Sequence, residues 1–265
     1  MNKQFNDQWA IILGGSSGFG HATVEKLASH GMNIAVLYRE TGVADRVLKE
    51  KFARLADDNG VRVDAYNLNA LDPASRESFI RQFAARAEGK QRVRLLLHSI
   101  ARGNLKPLAD APEEEILSME DIRFTTYAMS TSLLDWARLL LKEGHFQPDA
   151  RIIGLTSEGA HKYWEGYAAV SIAKSTLESL VTYMAVELGK HGLKTNLIQA
   201  GISATPSLKK IPDSERLLEL AKHRNPLGRT TRPEDVAGVI YLLCLDEASW
   251  INGSIIPVDG GEHCR

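Results

Sequence analysis

Cysteine is nearly missing from this chain: Cys244 and Cys264 are the only two in 265 residues, too few for a disulfide framework. Cys244 closes the apolar segment Val239-Ile240-Tyr241-Leu242-Leu243-Cys244 and is expected to behave as a small core hydrophobe. Cys264 is expected to be exposed, and the pair His263-Cys264 lacks the further ligands of a zinc site, so no metal is expected. No apolar run approaches the roughly 18 residues that cross a bilayer. The polar opening Met1-Asn2-Lys3-Gln4 does not read as a signal peptide. These absences point to the cytoplasm, with no membrane partner. Charge of one sign is also lacking: 32 basic residues stand against 33 acidic ones, and the net of −1 gives no basic field for nucleic acid. Internal repeats, low-complexity tracts and Pro/Gly/Ser linkers are absent too, so residues 1–265 are read as one domain.

Strand and helix signals alternate almost throughout. The apolar run Trp9-Ala10-Ile11-Ile12-Leu13 reads as the first strand. Asn33 to Tyr38, Val61 to Tyr66, Val93 to His98, Arg151 to Thr156, Leu193 to Ile198 and Ser254 to Val258 read as the following six. Helical patterns lie between them, for example Val43 to Asp58, Pro73 to Glu88 and Tyr127 to Glu143. Such alternation implies an α/β fold, a parallel sheet with helices on both faces. Gly201 to about Thr231 is the one long irregular stretch, with Pro206, Pro212 and Pro226 and a short amphipathic piece near Glu215–Ala221. It is expected to form a lid over a site.

Leu13-Gly14-Gly15-Ser16-Ser17-Gly18-Phe19-Gly20 joins the first strand to a helical pattern of Ala22, Val24, Leu27 and Ala28. Glycines there let the backbone approach a pyrophosphate, which the N–H groups and dipole of the helix N-terminus then hold. A glycine cluster alone marks only a turn; the strand before it and the helix after it favour a dinucleotide. Further on, Tyr167 and Lys174 are seven positions apart. On a helix, positions four and seven before a lysine share a face but differ by about 4.5 Å of rise. The nearer position suits polarising an oxygen bonded to the carbon that receives hydride. The farther suits an oxygen two atoms away, as in an α,β-unsaturated thioester. Val170 holds the nearer position and has no proton to give.

Together these residues resemble the short-chain dehydrogenase/reductase family and, within it, the enoyl-acyl-carrier-protein reductases. The likeness runs from Trp9 to Gly261 through the glycine turn, the Tyr–Lys pair, Asn196-Leu197-Ile198-Gln199-Ala200-Gly201, Arg232-Pro233-Glu234-Asp235-Val236-Ala237 and Val258-Asp259-Gly260-Gly261. Leu97-His98-Ser99-Ile100-Ala101 resembles the enoyl reductases, where carbonyl reductases usually carry Asn-Asn-Ala-Gly. The six-residue gap between Tyr167 and Lys174 and the Ala200-Gly201 pair also take the enoyl form. Two features depart from the main bacterial pattern. Ser157 stands where a second tyrosine is usual, as in carbonyl reductases, whereas Tyr163 sits where a less common NADPH-using type has its extra tyrosine. Thr125 appears in place of the carbonyl reductases' helix asparagine.

The resemblance implies a single Rossmann-type doubly wound domain with a seven-stranded parallel sheet. It implies Tyr167 as acid and stabiliser, its hydroxyl lowered by a cation, with Lys174 linked to it through the nicotinamide ribose. Ser157 is open between holding a substrate carbonyl and capping the next turn. Tyr163 is open between lining an acyl pocket and covering the core with Trp164. The expected cofactor site comprises Gly14, Ser16, Ser17, Gly18, Phe19, Gly20, Tyr38, Arg39, Asn69, Ala70, Ser99, Ile100, Ala101, Lys174, Gly201 and Thr205. Tyr38 takes the place where a carboxylate would accept from the ribose of NAD, and Arg39 suits a 2′-phosphate, so NADPH is favoured over NADH.

The expected activity is NADPH-dependent reduction of an enoyl thioester, borne by an acyl-carrier protein or by coenzyme A. Lys209, Lys210, Lys222, His223, Arg224 and Arg229 would attract an acidic carrier, although a solvated helix face explains them as well. A short-chain carbonyl reductase is the alternative, supported by Ser157; a non-catalytic cofactor-sensing module is the reading from another class. The resemblance further implies a homotetramer, and surplus apolar residues on two helices, Leu139, Leu140, Leu177, Leu180, Val181 and Met184, fit a symmetric interface.

Overall fold

Every residue of β1 (Trp9–Leu13) is buried, as a strand covered on both faces requires. Side chains alternate across it. Trp9, Ile11 and Leu13 enter one apolar layer, while Ala10 and Ile12 enter the other. The computed structural model describes residues 4–86, 92–211 and 213–265. Its sheet has seven parallel strands in the order β3-β2-β1-β4-β5-β6-β7, with β2 Asn33–Tyr38, β3 Val63–Asn67, β4 Val93–His98, β5 Phe146–Thr156, β6 Lys194–Ala200 and β7 Ile255–Val258. α1 (Gly18–Ala28), α2 (Gly42–Asn59) and α8 (Pro233–Leu243) cover one face. α3 (Pro73–Arg86), α5 (Ser132–Lys142) and α6 (Ala168–Glu187) cover the other. After β3 the chain returns to pair β4 beside β1. That reversal opens a crevice at the carboxyl ends of the strands, where ligands bind in such sheets.

The expected strands all form, and the differences lie at their ends. β5 begins at Phe146 rather than Arg151, because the chain pairs with Val93 before a register break at Asp149, whose φ is +62°. The helix expected over Tyr127–Glu143 starts earlier, as α4 (Met119–Thr126), capped by a reciprocal Ser118–Asp121 box. It passes through a π turn at 127–131 into α5. The irregular stretch is also not structureless: it holds a 3-10 turn at Leu208–Lys210 and α7 (Ser214–Arg224). Pro212, Glu88 and the first three residues lie outside the described residues. Among the described residues no helix is long and apolar enough to cross a membrane.

Two arginines fasten the opposite, amino-terminal edge of the sheet. Arg94 and Arg151 are almost wholly buried yet fully engaged. Arg94 donates twice to the Cys244 carbonyl and pairs with Asp246 at 2.8 Å, while Arg151 donates to the Leu243 carbonyl at 2.7 Å and pairs with Asp149. They satisfy the carbonyls that end α8. Burial pushes the Asp149 carboxyl up, but hydrogen bonds from Arg151 and Lys194 outweigh it and hold the group at about 2. Cys244 is buried as expected, its thiol pushed up to about 12 by burial, and Cys264 is exposed.

Candidate active site

At the carboxyl edge, a cavity of about 600 Å³ runs from the β1–α1 turn, past the ends of β2, β3 and β4, to the beginning of α6. Gly14 sits at φ +89°, and a Cβ there would fall 2.5 Å from the Ser99 carbonyl oxygen. Only glycine lets these two backbones meet. α1 then begins at Gly18 behind Ser17, whose side chain makes no capping bond, so the first N–H groups of the helix face the cavity without a side-chain acceptor. The cradle and the open helix end fit a pyrophosphate. Gly14, Ser16, Ser17, Gly18 and Phe19 line the cavity. Gly20 does not. Its Cα packs so closely on the turn that a Cβ would lie 2.2 Å from the Gly14 oxygen, which makes it a packing residue.

The β2 end carries Tyr38 and Arg39 into the cavity. Tyr38 donates its hydroxyl to Asp45 at 2.8 Å; burial and Asp45 both raise its pKa, so it remains a neutral phenol. Lys49 also holds Asp45, at 2.8 Å. Arg39 is exposed and has neither hydrogen bond nor ion pair to any described residue, Glu40 included. The loop that presents it is fixed instead by Asn67, which accepts from Glu40 N at 3.1 Å and donates to Glu40 O at 2.8 Å. Sequence reasoning passed over Asn67. Asn69 and Ala70 line the next stretch of wall, and Ser99, Ile100 and Ala101 the stretch after β4.

Across the cavity, Tyr167 is the residue that caps α6 rather than a member of its first turn. Its carbonyl accepts from Ser171 N at 2.8 Å, so it still stands one turn before Val170 and two before Lys174. Its ring packs against Gly159, where a Cβ would come within 2.6 Å of Tyr167 Cε1. Gly159 is thus a positioning residue that the sequence did not single out. Burial pushes the Tyr167 hydroxyl up in pKa, and a hydrogen bond with Ser157 opposes this. Lys174 Nζ donates to the Leu155 carbonyl at 2.7 Å and is not a direct hydrogen-bond partner of Tyr167. Lys174 is itself buried; loss of hydration pulls it down to about 8, and Glu178 opposes the shift. His98, buried behind it, is driven to about 3 by burial first and by Lys174 second, so its ring is neutral.

Ser157 takes the capping place and lines the cavity wall. It accepts from Gly159 N at 3.0 Å, capping the turn after β5, and its hydroxyl meets that of Tyr167. Tyr163 does not line the cavity: it is 88% exposed. Trp164, the next residue, takes the inward place. Gly201 and Thr205 both line the cavity. The Thr205 methyl would lie 3.4 Å from a Cβ on Gly18, and its hydroxyl accepts from Leu208 N at 3.3 Å. The apolar part of the wall is supplied by Leu105, Met129, Val170, Ile202, Ile211 and Leu217. Leu217 belongs to α7, whose last turn is anchored by Arg224 to Glu158 and, at 2.7 Å, to the buried Glu262.

Comparison with known proteins agrees with this geometry. The family profile described as enoyl-(acyl carrier protein) reductase matches residues 14–263. A tropinone reductase homolog from Arabidopsis thaliana is 26% identical over 263 residues, covering 98% of this chain and 96% of its own. A short-chain dehydrogenase/reductase from Serratia marcescens superposes with a TM-score of 0.82 at 25% identity, covering 98% of this chain and 99% of that one. The enoyl-[acyl-carrier-protein] reductase (NADH) from Aquifex aeolicus superposes with a TM-score of 0.80 at 25% identity, covering 99% and 98%. With the cavity, the Tyr–Lys pair and the sheet order already in place, the chain belongs to the short-chain dehydrogenase/reductase family, in its enoyl-(acyl carrier protein) reductase-like branch, and is an NAD(P)-dependent oxidoreductase.

Proposed function

We propose that the protein reduces the C2=C3 double bond of an enoyl thioester with NADPH. The observation that carries this reading is the placement of Tyr167 one turn before Val170, both in the cavity wall, with an aliphatic residue where a ketone oxygen would need a proton donor. Bound in the cradle, the dinucleotide supplies hydride. Tyr167, a neutral phenol in its buried setting, donates a hydrogen bond to the thioester oxygen as negative charge develops there. Ser157 orients that hydroxyl. Lys174 holds a positive charge below about pH 8 beside the anionic cofactor. The apolar wall excludes water from the site and accepts the acyl chain. The free guanidinium of Arg39 suits the 2′-phosphate of NADPH.

The segment from Gly201 to Thr231 is the proposed lid, since Thr205, Leu208, Ile211 and Leu217 reach the cavity from it. A homotetramer is also part of this reading, with a changed interface. Leu140, Leu177, Val181 and Met184 serve the chain's own core, whereas Ile172, Tyr183 and Val186 are the apolar residues exposed on α6. Carrier protein or coenzyme A as the thioester's bearer, and the cytoplasm as its location, complete the reading.

Reduction of a ketone is the second reading. It is favoured by the Ser157–Tyr167 hydroxyl pair and by the tropinone reductase homolog among the relatives. The test is NADPH oxidation by the purified protein with a trans-2-enoyl thioester beside a 3-ketoacyl thioester. The proposal expects turnover of the enoyl compound; turnover of the ketoacyl compound alone establishes the second reading.

A further inference from the structure

The loop after β3, which carries Asn69, Ala70 and Leu71 along the cavity wall, is held from behind by side chains that the proposed chemistry does not use. Trp136 Nε1 donates to the Ala70 carbonyl at 2.9 Å. Arg76 Nη1 reaches the Leu71 carbonyl at 3.4 Å, and the Tyr127 hydroxyl lies 3.2 Å from the same oxygen. Arg76 also donates to the Tyr127 hydroxyl at 2.7 Å, and its other nitrogen pairs with Asp135 at 3.1 Å. The Tyr127 hydroxyl is 3.0 Å from Asp135, so its one proton has two acceptors within reach. Trp136 is fully buried, and Arg76 is 8% exposed.

The π turn at 127–131 explains why these groups meet. Tyr127 and Asp135 are eight positions apart on one helical rod. On an uninterrupted α-helix they would point about 80° apart around the axis. The extra residue in an i→i+5 turn takes back about one residue's rotation, ~100°, which returns Asp135 to the Tyr127 side and aims the neighbouring Trp136 at the β3–α3 loop. The loop's own backbone does little to fix itself: Leu71 N donates to the Asn69 side chain at 3.3 Å, and Asp72 N to the Asn69 carbonyl at 3.0 Å. Without the three donors, the Ala70 and Leu71 carbonyls would stand unsatisfied against apolar side chains or turn toward water, shifting the peptide planes that carry Asn69.

We propose that Arg76, Tyr127 and Trp136 are positioning residues for the adenine half of the dinucleotide. They act through the Ala70 and Leu71 carbonyls and touch no part of the cofactor. This rests on the dinucleotide site of the family, in which Asn69 resembles the position that contacts adenine, and is independent of which bond is reduced.

Trp136→Phe removes one N–H and keeps a ring; Tyr127→Phe removes one hydroxyl and leaves the Arg76–Asp135 pair. ADP, which carries the adenine half alone, is titrated calorimetrically into each folded variant, and KM for NADPH and kcat are measured in parallel. The expected result is a roughly ten-fold weaker binding of ADP, a matching rise in KM for NADPH, and kcat within about two-fold. Leu140→Val, a core change on the same helix, is the control: it should lower Tm and leave ADP affinity alone. Wild-type ADP affinity in both variants overturns the proposal, as does an equal loss in the Leu140→Val control. If Trp136→Phe does not fold, Tyr127→Phe alone decides, by the same criteria.

Discussion

The two edges of the sheet treat charge in opposite ways. At the amino edge, Arg94 and Arg151 are more deeply buried than any other arginine among the described residues, and each is matched to a carboxylate and to helix carbonyls. At the carboxyl edge, Arg39 has no partner among the described residues. There Lys174 is buried on a single neutral carbonyl, and burial raises the pKa of the Tyr167 hydroxyl. A complete network offers nothing to a ligand, whereas an incomplete one at the mouth of a cavity is completed by what binds. The same backbone thus places stability at one end and binding capacity at the other.

Substitutions can break this contrast, and the largest effect should come from the carboxyl edge. Tyr167→Phe should lower kcat by roughly 10²–10⁴-fold, the usual range for a lost proton donor, while Tm and NADPH affinity stay close to wild type in a thermal melt and a titration. Arg151→Met should do the reverse. Removing one member of a buried charge network leaves Asp149 and the Leu243 carbonyl short of partners, at a cost of about 3 kcal/mol in urea unfolding, with kcat of the folded fraction unchanged. Arg39→Ala should raise KM for NADPH by about ten-fold and leave KM for NADH nearly unchanged; equal effects on both would remove Arg39 as the discriminator.

Titration sharpens the contrast further. Lys174 is depressed to about 8 from the ordinary lysine value. kcat/KM for NADPH should therefore fall as pH rises through about 8, where the free enzyme loses this charge. Stability should move the other way. Between about 8 and the unfolded value near 10.4, the unfolded chain binds the proton and the folded one does not, so unfolding free energy rises with pH. Lys174→Met should flatten both slopes. Asp149, held near 2, contributes stability that is present above the ordinary aspartate range and is lost as pH falls toward 2. The activity limb thus belongs to one edge and the acid limb to the other.

Much of the carboxyl edge is legible in the sequence because its signals are local. The glycine turn, the seven-position interval from Tyr167 to Lys174 and the missing acid at Tyr38 each sit within one short segment. Contacts between distant segments are not. Nothing near Asn67 announces that its amide would grip Glu40, and Gly159 gives no sign that Tyr167 would lie on it. The π turn escapes a reading based on helical period, since one extra residue leaves the apolar pattern on either side intact. Tyr163 shows the risk of position alone: one residue's shift exchanges an outward tyrosine for the inward Trp164.

The central claim is that the displaced tyrosine sets which carbon receives hydride. The most direct test offers NADPH deuterated at C4 to a mixture of a trans-2-enoyl thioester and a 3-ketoacyl thioester and locates the label in the products by mass spectrometry. The account predicts one deuterium at C3 of a saturated thioester, lost together with turnover in Tyr167→Phe. Deuterium only on the carbinol carbon of a reduced ketone, with the enoyl thioester recovered intact, would contradict it.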